Sequence, residues 1–226
     1  MDQVSRAFGS SLGKKVAMAL SGIVLFGYVV LHMLGNLKAF EGREAIGSYS
    51  IFLREFGQPV MPHSGVLWSI RIVLLLAVLI HIVAAVQLWR QSRGARSHGY
   101  HRVKPQVFSY ASRTMRWGGA IIFAFVVYHV LHMTTGTAHP DFEHGAVYDN
   151  LVIGFQSLPV VGAYTVAVGA LSFHLYHGLW SLFTTLGVQH PKVNRVRRPA
   201  AALIAIGLFV GYVSVPFAVQ FGILAL

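Results

Sequence analysis

The stretch Val16-Ala-Met-Ala-Leu-Ser-Gly-Ile-Val-Leu-Phe-Gly-Tyr-Val-Val-Leu-His-Met-Leu-Gly-Asn-Leu37 runs without a charge from Lys15 to Lys38 and ends on a histidine turn, His32. A helix needs about 20 largely apolar residues to cross the hydrocarbon core of a bilayer, so this stretch predicts a membrane span. Four further runs read the same way, at about 66–90, 117–138, 160–186 and 199–224. The fourth is cut from a longer uncharged run by Pro159 on one side and the segment Gly187 to Pro191 on the other. The whole chain agrees with its parts. Of 226 residues, 55% are hydrophobic and 11% charged, with a mean hydropathy of +0.60, where soluble proteins average about 45–50% and about 25%. The expectation is an all-α membrane protein, five transmembrane helices in one bundle, forming a single membrane domain over residues 1–226. The first span is too long for a cleaved signal peptide and lacks a small-residue cleavage site.

Charge placement predicts the orientation. Fourteen of the 18 Lys and Arg fall at the N-terminus, in the second connection and in the fourth. The other four, Lys38, Arg43, Arg54 and Arg71, fall on the opposite side with six of the seven Asp and Glu. The positive-inside rule then puts the N-terminus inside and the C-terminus outside. The net charge of +11 is in this light a topology signal and not a nucleic-acid footprint, though it leaves room for anionic lipid or an acidic-faced soluble partner. Between the first two spans, Ala45 to Phe56 reads as a short amphipathic helix on the outer interface. The third connection, from about Thr134 to Leu158, is also predicted outside. The hydrophilic segments are too short to hold a catalytic domain, so chemistry on a soluble substrate belongs to a partner.

The chain has no Cys and 12 His, which removes thiolate metal sites, iron–sulfur ligation and c-type haem attachment together. Six His fall within spans: His32, His81, His129, His132, His174 and His177. An ionisable side chain at bilayer depth is costly and marks a functional site by default. His32 with His129 or His132 predicts one level in the outer half of the membrane; His81 with His174 or His177 predicts another in the inner half. Imidazole pairs from facing helices, with no Asp or Glu inside any span, suit a six-coordinate iron porphyrin, whereas zinc prefers a tighter cluster with a third protein ligand. Gly35 and Gly178, each about one turn after a His, are expected to leave backbone free beside a flat macrocycle. The other six, His63, His98, His101, His139, His144 and His190, read as solvated or interfacial, with His98 and His101 placed to touch a partner. Trp68, Trp89 and Trp117 mark span ends, as an aromatic belt does.

Three motifs carry a resemblance: Ser11-Leu-Gly-Lys-Lys-Val-Ala-Met-Ala-Leu-Ser-Gly22, His32-Met-Leu-Gly-Asn-Leu37, and Phe173-His-Leu-Tyr-His-Gly-Leu-Trp-Ser181 followed by Thr185-Leu-Gly187. Over nearly the whole chain, the sequence resembles the five-helix di-haem cytochrome b membrane-anchor subunit of succinate dehydrogenase and fumarate reductase. The resemblance implies two haem b groups, one held by His32 and His129 (distal) and one by His81 and His174 (proximal), with His132 and His177 as alternative ligands. It further implies a FAD-containing flavoprotein subunit and an iron–sulfur subunit on the inner face, with electrons passing between the iron–sulfur subunit and membrane quinone, menaquinone favoured. The setting would be a bacterial cytoplasmic membrane, and the complex could associate further. Candidates for quinone or haem-propionate contacts are Tyr49, Arg54, Glu55 and Arg71 on the outer side and Ser11, Lys14 and Lys15 on the inner side. Two other readings stand beside this one: a di-haem cytochrome b of a hydrogenase or formate dehydrogenase, and a cofactor-free transporter or scaffold. The second would be colourless and would be expected to show internal repeats or broken helices, and neither is visible.

Overall fold

The structure, a computed structural model, describes residues 10–94, 110–188 and 190–226. His98 and His101 lie outside the described residues, as does much of the basic second connection. Among the described residues, seven helices follow in order: α1 (Ser11–Leu37), α2 (Arg43–Glu55), α3 (Gly65–Gly94), α4 (Tyr110–Met133), α5 (Val147–Phe155), α6 (Leu158–Thr185) and α7 (Pro191–Gln220), with a 3-10 turn at Lys38–Glu41. No strand occurs among the described residues. Five helices, α1, α3, α4, α6 and α7, are long and apolar enough to cross a membrane. The protein is an all-helical, multi-pass membrane protein.

Local chemistry explains most helix ends. Ser10 caps α1, its hydroxyl oxygen accepting from the Gly13 N–H at 3.0 Å, as an N-cap serine does. Pro159 sits in the first turn of α6, where its missing N–H costs nothing. At the other end of α6, Gly187 takes a positive φ of 78° and the Val188 N–H reaches back to the Phe183 carbonyl at 2.9 Å, the bond that closes a Schellman cap. Two spans end earlier than their apolar runs suggest. α4 stops at Met133 and not near 138, because the chain turns at Gly136, whose φ of 76° lets the Phe142 ring occupy the space a Cβ would need. α7 stops at Gln220, where Gly222 at φ 70° turns the chain and Ile223 N–H bonds to Ala218 O at 2.8 Å. α7 also begins at Pro191, eight residues before Pro199. Charge bounds the apolar run there but does not bound the helix.

α1 packs along α3, α4 along α6, and α7 lies against both α6 and α1. Small side chains make this possible: Ala77 and Ala84 on α3, Ala167 on α6, and Ala201 and Ala205 on α7 are all buried, and small residues let helix backbones approach where lipid offers no hydrophobic drive. The α1–α3 pair and the α4–α6 pair face each other largely through side chains.

The larger apolar core lies at one end. The 3-10 turn, α2 and α5 cap the ends of α6 and α7 with Ala39, Ile46, Leu151, Val152, Phe155, Val161, Val215 and Val219 buried together. Each fully buried aliphatic or aromatic side chain contributes about 1.5–3 kcal/mol. Arg43 on α2 adds an ion pair at 2.6 Å to Asp149 on α5. Six of the seven acidic residues fall at this end of the bundle, which is called the acidic end below; the other is the basic end.

Candidate functional site

The six span histidines sort into two levels. At the upper level, near the acidic end, the His32 and His129 rings face each other from α1 and α4 with centroids 5.7 Å apart and planes at 80°. Nearer the basic end, His81 and His174 face each other from α3 and α6 at 6.1 Å and 59°. Two imidazoles on opposite faces of one iron, each joined by a bond of about 2 Å with roughly 1 Å more to its ring centre, have centroids about 6 Å apart. Both separations match that figure. Both pairs join helices that otherwise make little contact. Among the described residues no cluster of three or more His, Cys, Asp or Glu forms, so the donor set suits two-ligand axial binding and not a protein-only metal cage.

Two of the four nitrogens that would not face iron have partners. His81 Nδ1 lies 3.1 Å from the Met18 carbonyl and 3.3 Å from Ser21 Oγ. The Ser21 hydroxyl is 2.8 Å from Ala17 O, so the backbone carbonyl is the natural acceptor for an Nδ1 proton, leaving the Nε2 lone pair free. His129 Nδ1 lies 3.1 Å from the Tyr164 hydroxyl. His174 Nδ1 is buried with no protein partner. An outer partner of this kind fixes the tautomer and orientation of a ligating imidazole. Gly22 passes His81 closely, an added Cβ falling 3.4 Å from its Cε1. Beside His174, a groove of about 190 Å3 between α4 and α6 is lined by Thr114, Trp117, Gly118, Ala170 and Phe173. The two imidazole pairs are donor sets of the kind that hold a haem iron from both sides.

His132 and His177 are turned elsewhere. His132 is fully buried, its ring sandwiched between Tyr128 at 5.3 Å and His139 at 4.8 Å, with Nδ1 2.9 Å from the Tyr164 hydroxyl. His177 meets Trp180 edge-on at 5.1 Å. Trp180 itself lies under the guanidinium groups of Arg197 and Arg198. The rings brought to His32 and His81 are those of His129 and His174.

Two expectations need correction. His139 is not a solvated loop residue: it is 8% exposed, stacks on His132, and has Nε2 2.7 Å from Asn150 O and Nδ1 against Pro140 O. Its place is made by α5, a nine-residue helix inside a connection that carries no span-length apolar run. Gly35 does not border a macrocycle face. It admits the Tyr49 ring, whose Cε1 would lie 2.9 Å from an added Cβ. Gly178 has open space beside it. The remaining loop histidines, His63, His144 and His190, are exposed, and His190 caps α7.

The residues suggested for quinone or propionate contacts are spread apart. Ser11, Lys14 and Lys15 occupy the first turn or so of α1. Arg54 Nη1 bonds back to Ser50 O and Oγ on its own helix, Glu55 ends α2 exposed, Tyr49 lies under Lys38 Nζ at 5.9 Å, and the Arg71 guanidinium covers Trp68 at 4.8 Å. For Arg71 and Trp68 the arrangement is that of an interfacial anchor.

Neither the curated proteins nor the solved structures yielded a match to this sequence. A family model does match, that of the succinate dehydrogenase/fumarate reductase transmembrane subunit, over residues 90–213. The matched segment spans α4 to most of α7 and contains His129, His132, His174 and His177, while His32 and His81 precede it. With more than half of the chain matched and five membrane-crossing helices in place, this protein belongs to the succinate dehydrogenase/fumarate reductase transmembrane subunit family.

Proposed function

We propose that this chain is the di-haem cytochrome b anchor of a succinate:quinone oxidoreductase in a bacterial cytoplasmic membrane, carrying electrons between an iron–sulfur subunit and membrane quinone. The observation that carries the reading is the pair of imidazole separations, 5.7 and 6.1 Å, each across helices that no close backbone packing holds together. Bound between these rings, two haems would supply one-electron steps, and two axial His on each iron would leave no open position for oxygen chemistry.

The chain's own residues do the positioning. His32 and His129 hold the haem near the acidic end, His81 and His174 the one near the basic end. Met18 O and the Tyr164 hydroxyl orient His81 and His129. The basic end faces inward and receives the iron–sulfur subunit, itself coupled to a FAD-containing flavoprotein, while the cap of α2 and α5 faces outward. Menaquinone is the favoured quinone.

A pyridine haemochrome assay on the purified complex, with a dithionite-reduced minus oxidised spectrum, tests this. Two b haems per chain are expected. A colourless, intact complex would overturn the reading in favour of a cofactor-free membrane protein.

A further inference from the structure

Two buried side chains are left over by the ligand pairs, Tyr164 and His132, and the Tyr164 hydroxyl lies between His132 Nδ1 and the nitrogen of His129 that would not face iron. Resting on the haem reading above, we propose that Tyr164 and His132 form a one-directional hydrogen-bond chain that fixes the tautomer of His129 and so sets the potential of the haem near the acidic end. Tyr164 is a positioning residue in this arrangement, and His132 is the residue that gives the chain its direction.

The geometry leaves one proton to place. The Tyr164 hydroxyl lies 3.1 Å from His129 Nδ1 and 2.9 Å from His132 Nδ1. A hydroxyl carries one proton, so it donates to one of these nitrogens and accepts from the other. For His129 to offer its Nε2 lone pair to iron, its single proton must sit on Nδ1. His129 Nδ1–H therefore donates to the tyrosine oxygen, and the hydroxyl proton must go to His132 Nδ1. The proton of His132 is then on Nε2, which is buried without a hydrogen-bond partner. The reverse order would place the His129 proton on Nε2 and close the lone pair that iron requires. The tautomer of His132 thus selects the ligand-competent tautomer of His129.

Every member of the chain is held. The Tyr164 ring is 7% exposed and clamped edge-on by Phe125 and Phe155, each at 4.8 Å. His132 is wedged between Tyr128 and His139, with Gly154 at its edge. An added Cβ on Gly154 would fall 3.0 Å from His132 Cε1. His139 is fixed in turn by Asn150 O. Both faces of the His132 ring are thus covered, by Tyr128 and His139.

The other pair is built differently. His81 Nδ1 lies 3.1 Å from the Met18 carbonyl and 3.3 Å from the Ser21 hydroxyl, and that hydroxyl turns to the backbone at Ala17 O, so no second histidine sets its direction. A hydroxyl that is itself donating is a more electron-rich acceptor than one that is not. It draws more strongly on His129 Nδ1–H, makes the imidazole a better donor to iron, and favours the ferric state. The nearer acceptor is a carbonyl at His81 and a hydroxyl at His129, and the two haems are thereby given unequal partners.

The test is an equilibrium redox titration of the purified complex, followed in the visible spectrum. Outer partners of metal-bound imidazoles are typically worth about 10–100-fold in affinity. In Tyr164→Phe, one of the two midpoint potentials is expected to rise by the equivalent of a tenfold change in the ferric-to-ferrous affinity ratio, about 59 mV for one electron, while the other stays put and both haems remain bound. His132→Leu is expected to move the same potential in the same direction. His132→Asn, whose Oδ1 sits where Nδ1 sat and accepts the same proton, is expected to restore it. Unchanged potentials in Tyr164→Phe, equal movement of both haems, or His132→Asn behaving as His132→Leu would each overturn the proposal while leaving the haem reading intact. Wild-type complex without a haem at this pair would instead remove the haem reading, and the proposal with it.

Discussion

Gly154→Ala is the sharpest test of how the cap at the acidic end is built. Gly154 lies on α5, and an added Cβ would meet His139 Nε2 at 2.8 Å and His132 Cε1 at 3.0 Å, where ordinary contact begins at 3.4 Å. The two rings would have to retreat by about 0.6 and 0.4 Å, a shift of the kind that overpacking demands. Neither has the freedom to do so, since His139 is bonded to Asn150 O at 2.7 Å and His132 is stacked on Tyr128. Overpacking a tight site costs roughly 1–3 kcal/mol, while alanine in place of a helical glycine returns about 0.5–1 kcal/mol. The net expectation is a loss of about 0–2.5 kcal/mol, centred on about 1 kcal/mol, which is roughly 2–4 °C in Tm at this chain length. Gly162→Ala on α6 is the internal control, because nothing lies within 4 Å of its Cβ position; there only the helix term operates, and Tm should hold or rise. The assay is far-UV circular dichroism melting of both variants in the same detergent. Gly154→Ala melting at or above Gly162→Ala would refute the reasoning.

Three further outcomes are expected. His174→Ala should lose one haem of two, whereas His177→Ala, whose ring meets Trp180 and not His81, should keep both; the haemochrome assay on the two variants decides, and the reverse result would exchange their roles. Gly22→Val should lower occupancy of the haem near the basic end alone, because a branched side chain there runs into His81, whose Cε1 is already 3.4 Å from the Cβ position; equal loss of both haems by spectroscopy would speak against it. The Arg43–Asp149 pair, with side chains 57% and 24% exposed, should show a coupling of about 0.2–1 kcal/mol in a double-mutant cycle of Arg43→Ala and Asp149→Asn; a coupling well above that would mean the cap depends on charge and not on its apolar core.

The spans were legible because hydropathy and charge act over twenty residues at a time. A run such as Val16 to Leu37 has one physical explanation. The histidine levels were legible for the same reason, since depth along a helix follows from counting. What the sequence did not disclose was α5 and what it encloses. Its nine residues include Asp149 and Asn150, which read as connection, and its partners Ala39, Ile46, Val215 and Val219 come from three distant segments. Burial of His139 depends on that enclosure, so a histidine flanked by Ala138 and Pro140 gave no local sign of it. Tyr164 escaped notice for a related reason. A tyrosine on an apolar helix is unexceptional until two histidine nitrogens are found within 3.1 Å of its oxygen. That His129 and not His132 faces the His32 ring is a matter of ring direction, which spacing of three residues on one helix face does not decide.

Two helices serve as rulers for the distance between the ring pairs. On α1, His81 is met at Met18 and Ser21, and His32 follows 11 to 14 residues later, which at about 1.5 Å per residue is roughly 16–21 Å. On α6, Tyr164 marks the level of His129 and His174 lies ten residues beyond, or about 15 Å. The two helices are not close neighbours along most of their length, yet they return nearly the same interval. That interval is too long for one metal centre and fits inside a hydrocarbon core of about 30 Å, which supports the proposal of two haem sites at different depths. Because α1 and α6 each touch both levels, neither site can shift along the membrane normal without straining the other. If the pairs hold haems as proposed, the helices themselves fix the spacing of two one-electron stations, and the side chains around each station are free to differ.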